Sequence, residues 1–256
     1  MNLDYLKTKH GYEIGKLWYP RVTSICQIIG KPGLERWLAN QGSFAAMQQR
    51  RKKITSFGSL VHDIAEKILT GRDPGEIPLA IQPSIEALQK WLKSHKVKVY
   101  QTEKRVLSRK YLYAGTIDAL GEIDGTLGIL DLKTSTSIWD EYFLQTAAYL
   151  QAHNESHPQK AKTHWILRID QYQECLFCGA LRRDRAGHSQ VKGGSFHCLH
   201  QWGPVKGVCQ FQEIEDHQTY FKMFLAAKKL WEFSNRSWLK QIPNYPKKFY
   251  SNNHLL

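Results

Sequence analysis

The chain has 256 residues, of which 42% are hydrophobic and 23% are charged, and this composition excludes an intrinsically disordered protein. The formal net charge of +13 fits either a merely soluble basic protein or one that binds polyanions through its Lys and Arg side chains. No segment has the roughly 18 consecutive apolar residues of a membrane span, and the N-terminus lacks the apolar run of a signal peptide. These features predict a cytoplasmic protein.

The N-terminal part of the chain is predicted to be mostly helical. The first thirty residues contain short extended pieces around Tyr19 and a glycine turn at 30–33. Three helices follow. The first spans 34–51, the second begins after an N-cap at Thr55 or Ser56 and ends at Gly71, and the third spans 83–95. The apolar face of the second helix is formed by Leu60, Ile64 and Ile68.

The pattern then changes to the two-residue period of strands. Strands are predicted at 97–107, 113–122 and 127–132, and Gly125 marks the turn that makes the last two a hairpin. The chain continues with a helix at 138–152, strands at 164–169 and 208–214, and a helix at 216–233. This order predicts an α/β fold with a mixed central sheet flanked by helices, in one domain (1–256) that contains an insertion at 171–210.

Two acidic residues and one lysine form the segment with the clearest chemical meaning. Asp131 and Lys133 are two apart on a predicted strand, so their side chains lie on one face. Asp118 lies on the neighbouring strand of the hairpin and can come close to Asp131. Two such carboxylates repel each other and therefore favour a hard divalent cation, Mg²⁺ or Mn²⁺. With an ammonium beside the cation, this is the minimum set for metal-assisted phosphodiester hydrolysis.

An Asp-x-Lys triplet alone is more often an exposed ion pair at a strand edge. The apolar run Leu127–Leu130 directly before Asp131 argues against exposure, because a strand of this composition is buried. A buried carboxylate needs a partner or a metal. The sequence therefore favours a metal site over a surface ion pair.

Five short motifs occur in a fixed order along the chain. They are Gly58–His62 (G-x-x-x-H), Glu103, Gly115–Asp118 (G-x-x-D), Asp131–Thr134 (D-x-K-T) and Gln145–Tyr149 (Q-x-x-x-Y). This series resembles the PD-(D/E)xK nuclease superfamily, and most of all its RecB-type exonuclease branch, which includes mitochondrial, CRISPR-associated and phage exonucleases. Tyr19–Thr23 and Glu35–Trp37 resemble the same branch. The resemblance covers residues 19–170 and resumes at 211–233.

The resemblance implies a restriction-endonuclease-like core and a set of metal ligands. Asp118 and Asp131 would ligate the cation together with the backbone carbonyl of Leu132. His62 would be a further ligand, although a single helical histidine is more often structural. Glu103 is an additional candidate ligand, and beside two basic residues it could equally be a surface charge.

The same resemblance implies the catalytic roles. Lys133 would orient or activate the attacking water. Gln145 and Tyr149 are four apart on one helix face and would position Lys133 and a phosphate; without the resemblance they would be an ordinary boundary pair. The implied activity is an Mg²⁺- or Mn²⁺-dependent DNA exonuclease acting on single strands or ends, in a phage or prokaryotic recombination or repair setting. The alternatives are an endonuclease of the same fold and a catalytically idle nucleic-acid-binding module.

The insertion carries the features of a second metal site. Cys175 and Cys178, followed by a glycine, resemble a zinc knuckle. The candidates for the remaining ligands are His197, Cys198, His200 and Cys209, and the all-cysteine set is Cys175, Cys178, Cys198 and Cys209. Free thiols in a basic loop are the alternative. An iron–sulfur cluster with Cys26 as its first ligand fits less well, because the other cysteines are too widely spaced.

A basic run precedes the His62 motif. Arg50, Arg51, Lys52 and Lys53 are consecutive at the predicted end of the first long helix. Such a run is usually a solvated helix end, and it could also lie along a phosphate backbone.

Overall fold

The computed structural model describes residues 2–30, 44–185 and 188–246, and only the backbone of 44–55, 185 and 188. The helices in these ranges are α1 Leu3–His10, α2 Val22–Cys26, α3 Phe44–Leu69, α4 Gln82–Ser94, α5 Asp140–Ser156, α6 His217–Ser234 and α7 Arg236–Leu239. The strands are β1 Gly11–Ile14, β2 Leu17–Pro20, β3 Val97–Ser108, β4 Tyr113–Ile123, β5 Thr126–Lys133, β6 Thr163–Glu174, β7 Leu181–Arg185, β8 His188–Lys192 and β9 Lys206–Ile214.

A mixed sheet forms the centre of the fold, as predicted. Its strands follow the order β3-β4-β5-β6-β7-β8, and β9 pairs with the edge of β6 that faces away from β5. Strands β4 and β5 are an antiparallel hairpin, whereas β5 and β6 run parallel and are connected through α5. The parallel pair places the carboxyl end of β5, with the D-x-K-T motif, beside the middle of β6.

Two hydrophobic cores lie against the sheet. One core joins α1, α2, α5, α6 and α7 to inward residues of the hairpin such as Ile117 and Ile129. The other joins α3 and α4 to residues such as Leu130 and Leu132. Because successive residues of β5 alternate between the two cores, the strand is buried on both faces, as its apolar run indicates.

Two predictions about the N-terminal helices are wrong. Residues 44–69 form one continuous helix, so Thr55 and Ser56 lie inside α3 and do not cap a separate helix. The basic run before them consists of good helix formers, which allows the helix to continue. Its buried face is formed by Val61, Ile64, Ala65 and Leu69, whereas Leu60 is exposed.

The N-terminal residues and β6 also differ from expectation. Residues Leu3–His10 form a helix, because the side chain of Asn2 accepts hydrogen bonds from the backbone N–H groups of Asp4 and Tyr5 and so caps it. Strand β6 continues to Glu174, because β9 and then β7 pair with it along its length. The other predicted strands and helices beyond residue 80 are confirmed to within a few residues.

No helix in the described ranges is both long enough and apolar enough to span a membrane.

Buried His164 gives the fold a predicted sensitivity to acid. Its Nδ1 lies 2.7 Å from the Thr146 hydroxyl, and burial lowers the pKa of His164 to about 3. An unfolded histidine has a pKa of about 6.5, so below that pH the unfolded chain binds a proton that the folded chain excludes. We expect this residue to reduce the free energy of unfolding by about 2 kcal/mol between pH 7 and pH 5.

Urea unfolding at pH 7, 6 and 5 tests this expectation. His164→Asn keeps a donor for Thr146 and does not titrate in this range, so its stability should depend less on pH than that of the wild type. His197→Asn, at an exposed histidine, is the matched control. Equal pH slopes in the wild type and His164→Asn would contradict the assignment.

Candidate active site

The β4–β5 hairpin brings Asp118 to the end of β5. The last paired residues of the ladder are Ala119 and Leu130, and the two strands separate beyond them. The carboxylate of Asp118 bridges the gap, since its Oδ2 accepts a hydrogen bond of 2.7 Å from the backbone N–H of Leu132. The hairpin therefore holds Asp118 and the D-x-K-T motif together, as the sequence predicts.

Asp131 and Lys133 form a buried ion pair. Lys133 Nζ lies 2.5 Å from Asp131 Oδ2 and 4.8 Å from the centroid of the Tyr142 ring. Gln145 Nε2 donates to Asp131 Oδ1 at 2.9 Å and lies 3.2 Å from the Tyr149 hydroxyl. Gln145 thus holds Asp131, and Asp131 in turn holds Lys133.

His62, Glu103 and Asp118 form a separate group beside this ion pair. One ligand atom from each lies within 4.8 Å of the other two, and His62 Nε2 is 3.3 Å from Asp118 Oδ2. Glu103 lies in β3 between residues that pair with Ile117 and Ala119, so it is opposite Asp118. Its φ of +48° is unusual for a residue other than glycine and marks backbone strain at this point.

This group has the donors and spacing of a divalent metal site. Two carboxylates and an imidazole suit Mn²⁺ and, less well, Mg²⁺. Adjacent ligands of an octahedral ion, each about 2.1 Å from the metal, lie about 3.0 Å apart, close to the separation of His62 and Asp118. Asp131 is not in the group; its carboxylate faces Lys133 and Gln145 instead.

The ionisable side chains of the site shift one another's pKa values. The hydrogen bond that His62 donates to the Asp118 carboxylate raises the pKa of His62. Burial opposes ionisation of Asp118, but the His62 and Lys133 side chains outweigh it and lower the pKa of this carboxyl. Burial raises the pKa of Asp131 to about 6 despite the nearby Lys133. Burial disfavours the Lys133 ammonium, but Asp131 and Asp118 outweigh it and raise the pKa, so Lys133 is a cation at neutral pH.

Two motif glycines allow the helices to approach the sheet. A Cβ at Gly58 would lie 2.7 Å from the Thr134 hydroxyl oxygen, and His62 follows one turn later on the same face of α3. A Cβ at Gly115 would lie 2.3 Å from the Tyr149 ring. Both contacts are shorter than van der Waals packing permits, so each glycine positions a functional residue through close backbone approach.

A cavity of about 380 Å³ opens over these residues. From the predicted set it is lined by His62, Glu103, Asp118, Leu132, Lys133, Gln145 and Tyr149. Tyr12, Arg21, Thr23 and Thr116 also line it. The guanidinium groups of Arg21 and Arg105 lie 4.4 and 4.6 Å from the centroid of the Tyr12 ring. Arg21 and Thr23 lie within the Tyr19–Thr23 motif, which was not predicted to contribute side chains to the site, and no sequence signal identified Tyr12.

The insertion assembles a second group of metal-ligating side chains. Ligand atoms of Cys175, Cys178, Cys198 and His200 all lie within 4.8 Å of one another. The sulfur atoms of Cys175 and Cys198 are 3.8 Å apart, too far for a disulfide, and Cys178 Sγ is 3.4 Å from His200 Nδ1. Around a tetrahedral zinc, two sulfurs lie about 3.8 Å apart and a sulfur and a nitrogen about 3.6 Å apart. The cysteine cluster therefore fits a zinc ion.

The fourth member of this cluster corrects a prediction. Cys209 lies in β9 opposite Ile169 and packs against the core beneath α3 and α4, where burial raises its pKa to about 12. His200 takes the place that the all-cysteine set gave to Cys209, since its Nδ1 lies 3.4 Å from Cys178 Sγ. Cys26 is buried in the other core, so the iron–sulfur arrangement is not assembled in the described residues.

Comparisons with known proteins give a distant likeness. No protein-family model and no curated protein matches this chain. Among solved structures, it is similar to the alkaline exonuclease LHK-Exo from Laribacter hongkongensis, alone and in complex with dAMP. The alignments cover 87% of this chain and 94% of the exonuclease chain, with 12% and 13% identity and TM-scores of 0.31 and 0.30. TM-scores this low carry no functional argument, so function has to be argued from the site.

Some predicted residues lie outside the described part of the chain. Glu35–Trp37 fall in the range 31–43, which is not described. Arg50, Arg51, Lys52 and Lys53 lie in α3, with only their backbone described. Their predicted contact with phosphates remains a prediction.

Proposed function

We propose that this chain is a metal-dependent nuclease that hydrolyses phosphodiester bonds in DNA, beginning from strand ends. The observation that carries the proposal is the convergence of His62, Glu103, Asp118 and Lys133 on one cavity, with Asp131 buried beneath it and paired with Lys133. The motif resemblance supports an exonuclease, and the net charge of +13 supports a polyanionic substrate.

The chain's own residues divide the chemical work. His62, Glu103 and Asp118 would hold Mn²⁺ or Mg²⁺, with the Leu132 carbonyl and Asp131 as further candidates. When bound, the metal ion would supply Lewis-acid polarisation of the phosphate and would favour deprotonation of the attacking water. Lys133, a cation held by Asp131, would donate hydrogen bonds to that water and to the phosphate oxygens that gain negative charge. It cannot act as a base while protonated.

Gln145 and Tyr149 would act through Asp131. Gln145 donates to one carboxylate oxygen, which leaves the other to hold Lys133. The predicted positioning of Lys133 by Gln145 would therefore be indirect, through Asp131. Arg21, which also lines the cavity, is a candidate contact for a neighbouring phosphate, and the Arg50–Lys53 run would bind phosphates outside it.

A comparison of linear and circular single-stranded DNA tests the requirement for an end. If an end must enter the cavity, the linear strand should be degraded with Mn²⁺ or Mg²⁺ while the same strand closed into a circle is cut at least tenfold more slowly. End-labelled linear DNA and gel analysis provide the rates. Equal rates on the two forms would reject the exonuclease mode and favour an endonuclease on the same site.

For the insertion, we propose a structural zinc ion held by Cys175, Cys178, Cys198 and His200. Four ligands complete a tetrahedral shell and leave no open position for chemistry, as in structural zinc sites. The cluster cross-links two chain segments with little apolar core of their own. Zinc would therefore stabilise the insertion and not take part in hydrolysis.

A further inference from the structure

The cysteine cluster carries an exposed apolar tip that the proposed active site does not use. The tip, here called the knuckle tip, consists of Leu176, Phe177, Phe196 and Leu199. Phe177 is 71% exposed, Leu199 is 94% exposed and Phe196 is fully exposed. Because the four cluster ligands lie within 4.8 Å of one another, the two turns that bear these side chains meet at one place. Large apolar side chains grouped on a surface mark a binding site.

The charges around the knuckle tip favour a polyanion. Between Cys175 and Lys206 the basic residues are Arg182, Arg183, Arg185, Lys192 and Lys206, and the single acidic residue is Asp184. Arg183 forms a buried ion pair with Asp170, and Arg182 and Lys206 form solvent-accessible ion pairs with Asp184 and Glu174, so the local charge remains positive. Lys192 is exposed on β8, and the Arg182 guanidinium lies 5.2 Å from the Trp202 ring centroid, beside the cluster ligand His200. Exposed aromatic rings with basic residues nearby are the features with which proteins bind single-stranded nucleic acid.

Strand β6 fixes the distance from the knuckle tip to the proposed active site. Arg168 of β6 pairs with Lys133, and Cys175 follows the last residue of β6, seven residues after Arg168. At about 3.3 Å per residue, this places the cluster about 23 Å beyond the carboxyl end of β5. Helix α3, which carries His62, also contacts β7 beside the cluster. One DNA strand could therefore contact both places.

We propose that the knuckle tip binds the single-stranded part of the DNA substrate, with Phe177 and Phe196 stacking on bases and Lys192 and Arg182 near phosphates. The inference rests on the proposed nuclease function and names its substrate as a single strand. A span of 23 Å corresponds to about four to seven nucleotides, at 3.4 Å per nucleotide in a stacked strand and about twice that in an extended one. The tip would thus hold the strand several nucleotides from the bond being cut.

The test compares a long strand with one too short to reach the tip. Phe177→Ala with Phe196→Ala should weaken binding of a 20-nucleotide single strand at least about tenfold. Binding is measured by fluorescence anisotropy in the Asp118→Asn background, which keeps the strand intact. Cleavage of a trinucleotide, measured with Asp118 present, should be unchanged. The matched control is Phe233→Ala, an exposed phenylalanine of α6, which should alter neither.

The outcomes separate this inference from the proposed function. Unchanged affinity for the 20-nucleotide strand would overturn it and favour a protein partner for the tip. Trinucleotide cleavage reduced by the same factor as binding of the 20-nucleotide strand would also overturn it. Full recovery of binding in Phe177→Leu with Phe196→Leu would do the same, since leucine cannot stack on a base. If the wild-type protein cleaves no DNA, the proposed function fails whatever the affinity of the tip.

Discussion

Asp118→Asn should abolish cleavage, with kcat falling by roughly three orders of magnitude, the scale seen when one member of a cooperating catalytic group is lost. Asp118 contacts both the candidate metal-ligand group and the strand with the D-x-K-T motif. It lies beside His62 and also accepts a hydrogen bond from the Leu132 N–H. An amide lacks the charge that a divalent cation needs, so affinity for Mn²⁺ should fall as well. Asp131→Asn should have a comparable effect on cleavage, because it removes the ion pair that holds Lys133.

Asp124→Asn provides the matched control for these variants. Asp124 lies in the turn at the other end of the β4–β5 hairpin, is exposed and accepts from the Lys96 N–H. The substitution makes the same chemical change in the same hairpin and should leave cleavage and Mn²⁺ binding unaltered. Cleavage by Asp118→Asn at the wild-type rate with saturating metal would show that the active site has been misassigned.

Loss of the cysteine cluster should have the largest structural effect. The purified protein should contain about one zinc per chain, and Cys178→Ser should reduce this to near zero. Zinc binding by small cysteine–histidine sites supplies on the order of 10 kcal/mol, far more than any other interaction within residues 171–210. We therefore expect the amides of this insertion to lose their hydrogen-exchange protection in the variant.

Cys209→Ser is the control for the cluster. Because Cys209 lies in β9, away from the four ligands, this variant should keep its zinc. The active site should still bind Mn²⁺ in Cys178→Ser, since it belongs to the sheet and α3. Metal-free wild-type protein with freely reactive thiols and a protected insertion would contradict the zinc assignment, as would zinc loss in Cys209→Ser.

The sequence predicted the hairpin and its catalytic face because these depend on local patterns. Alternating apolar residues and the Gly125 turn predict β4 and β5, and the two-residue period places Asp131 and Lys133 on one face. The position of Asp118 beside them then depends only on the hairpin register. For the same reason the resemblance, which rests on short motifs in order, was informative about this part of the chain.

Other features of the site depend on contacts between distant segments. Tyr12 reaches the cavity because the N-terminal hairpin packs over β4, where its hydroxyl meets Thr116. Glu103, which the resemblance named as a candidate ligand, lies opposite Asp118 because β3 pairs with β4 in this register. His200, and not Cys209, joins the cluster because β9 holds Cys209 in register with β6. Spacing along the chain does not contain this information.

The most direct test of the central claim is a time course of wild-type protein on end-labelled linear single-stranded DNA with Mn²⁺, with Mg²⁺ and with no added divalent cation. Asp118→Asn and Asp124→Asn are run in parallel. The proposed site predicts degradation that requires the added cation, persists in Asp124→Asn and is absent in Asp118→Asn. DNA left intact by the wild type under every condition, or cut equally by Asp118→Asn, would contradict it.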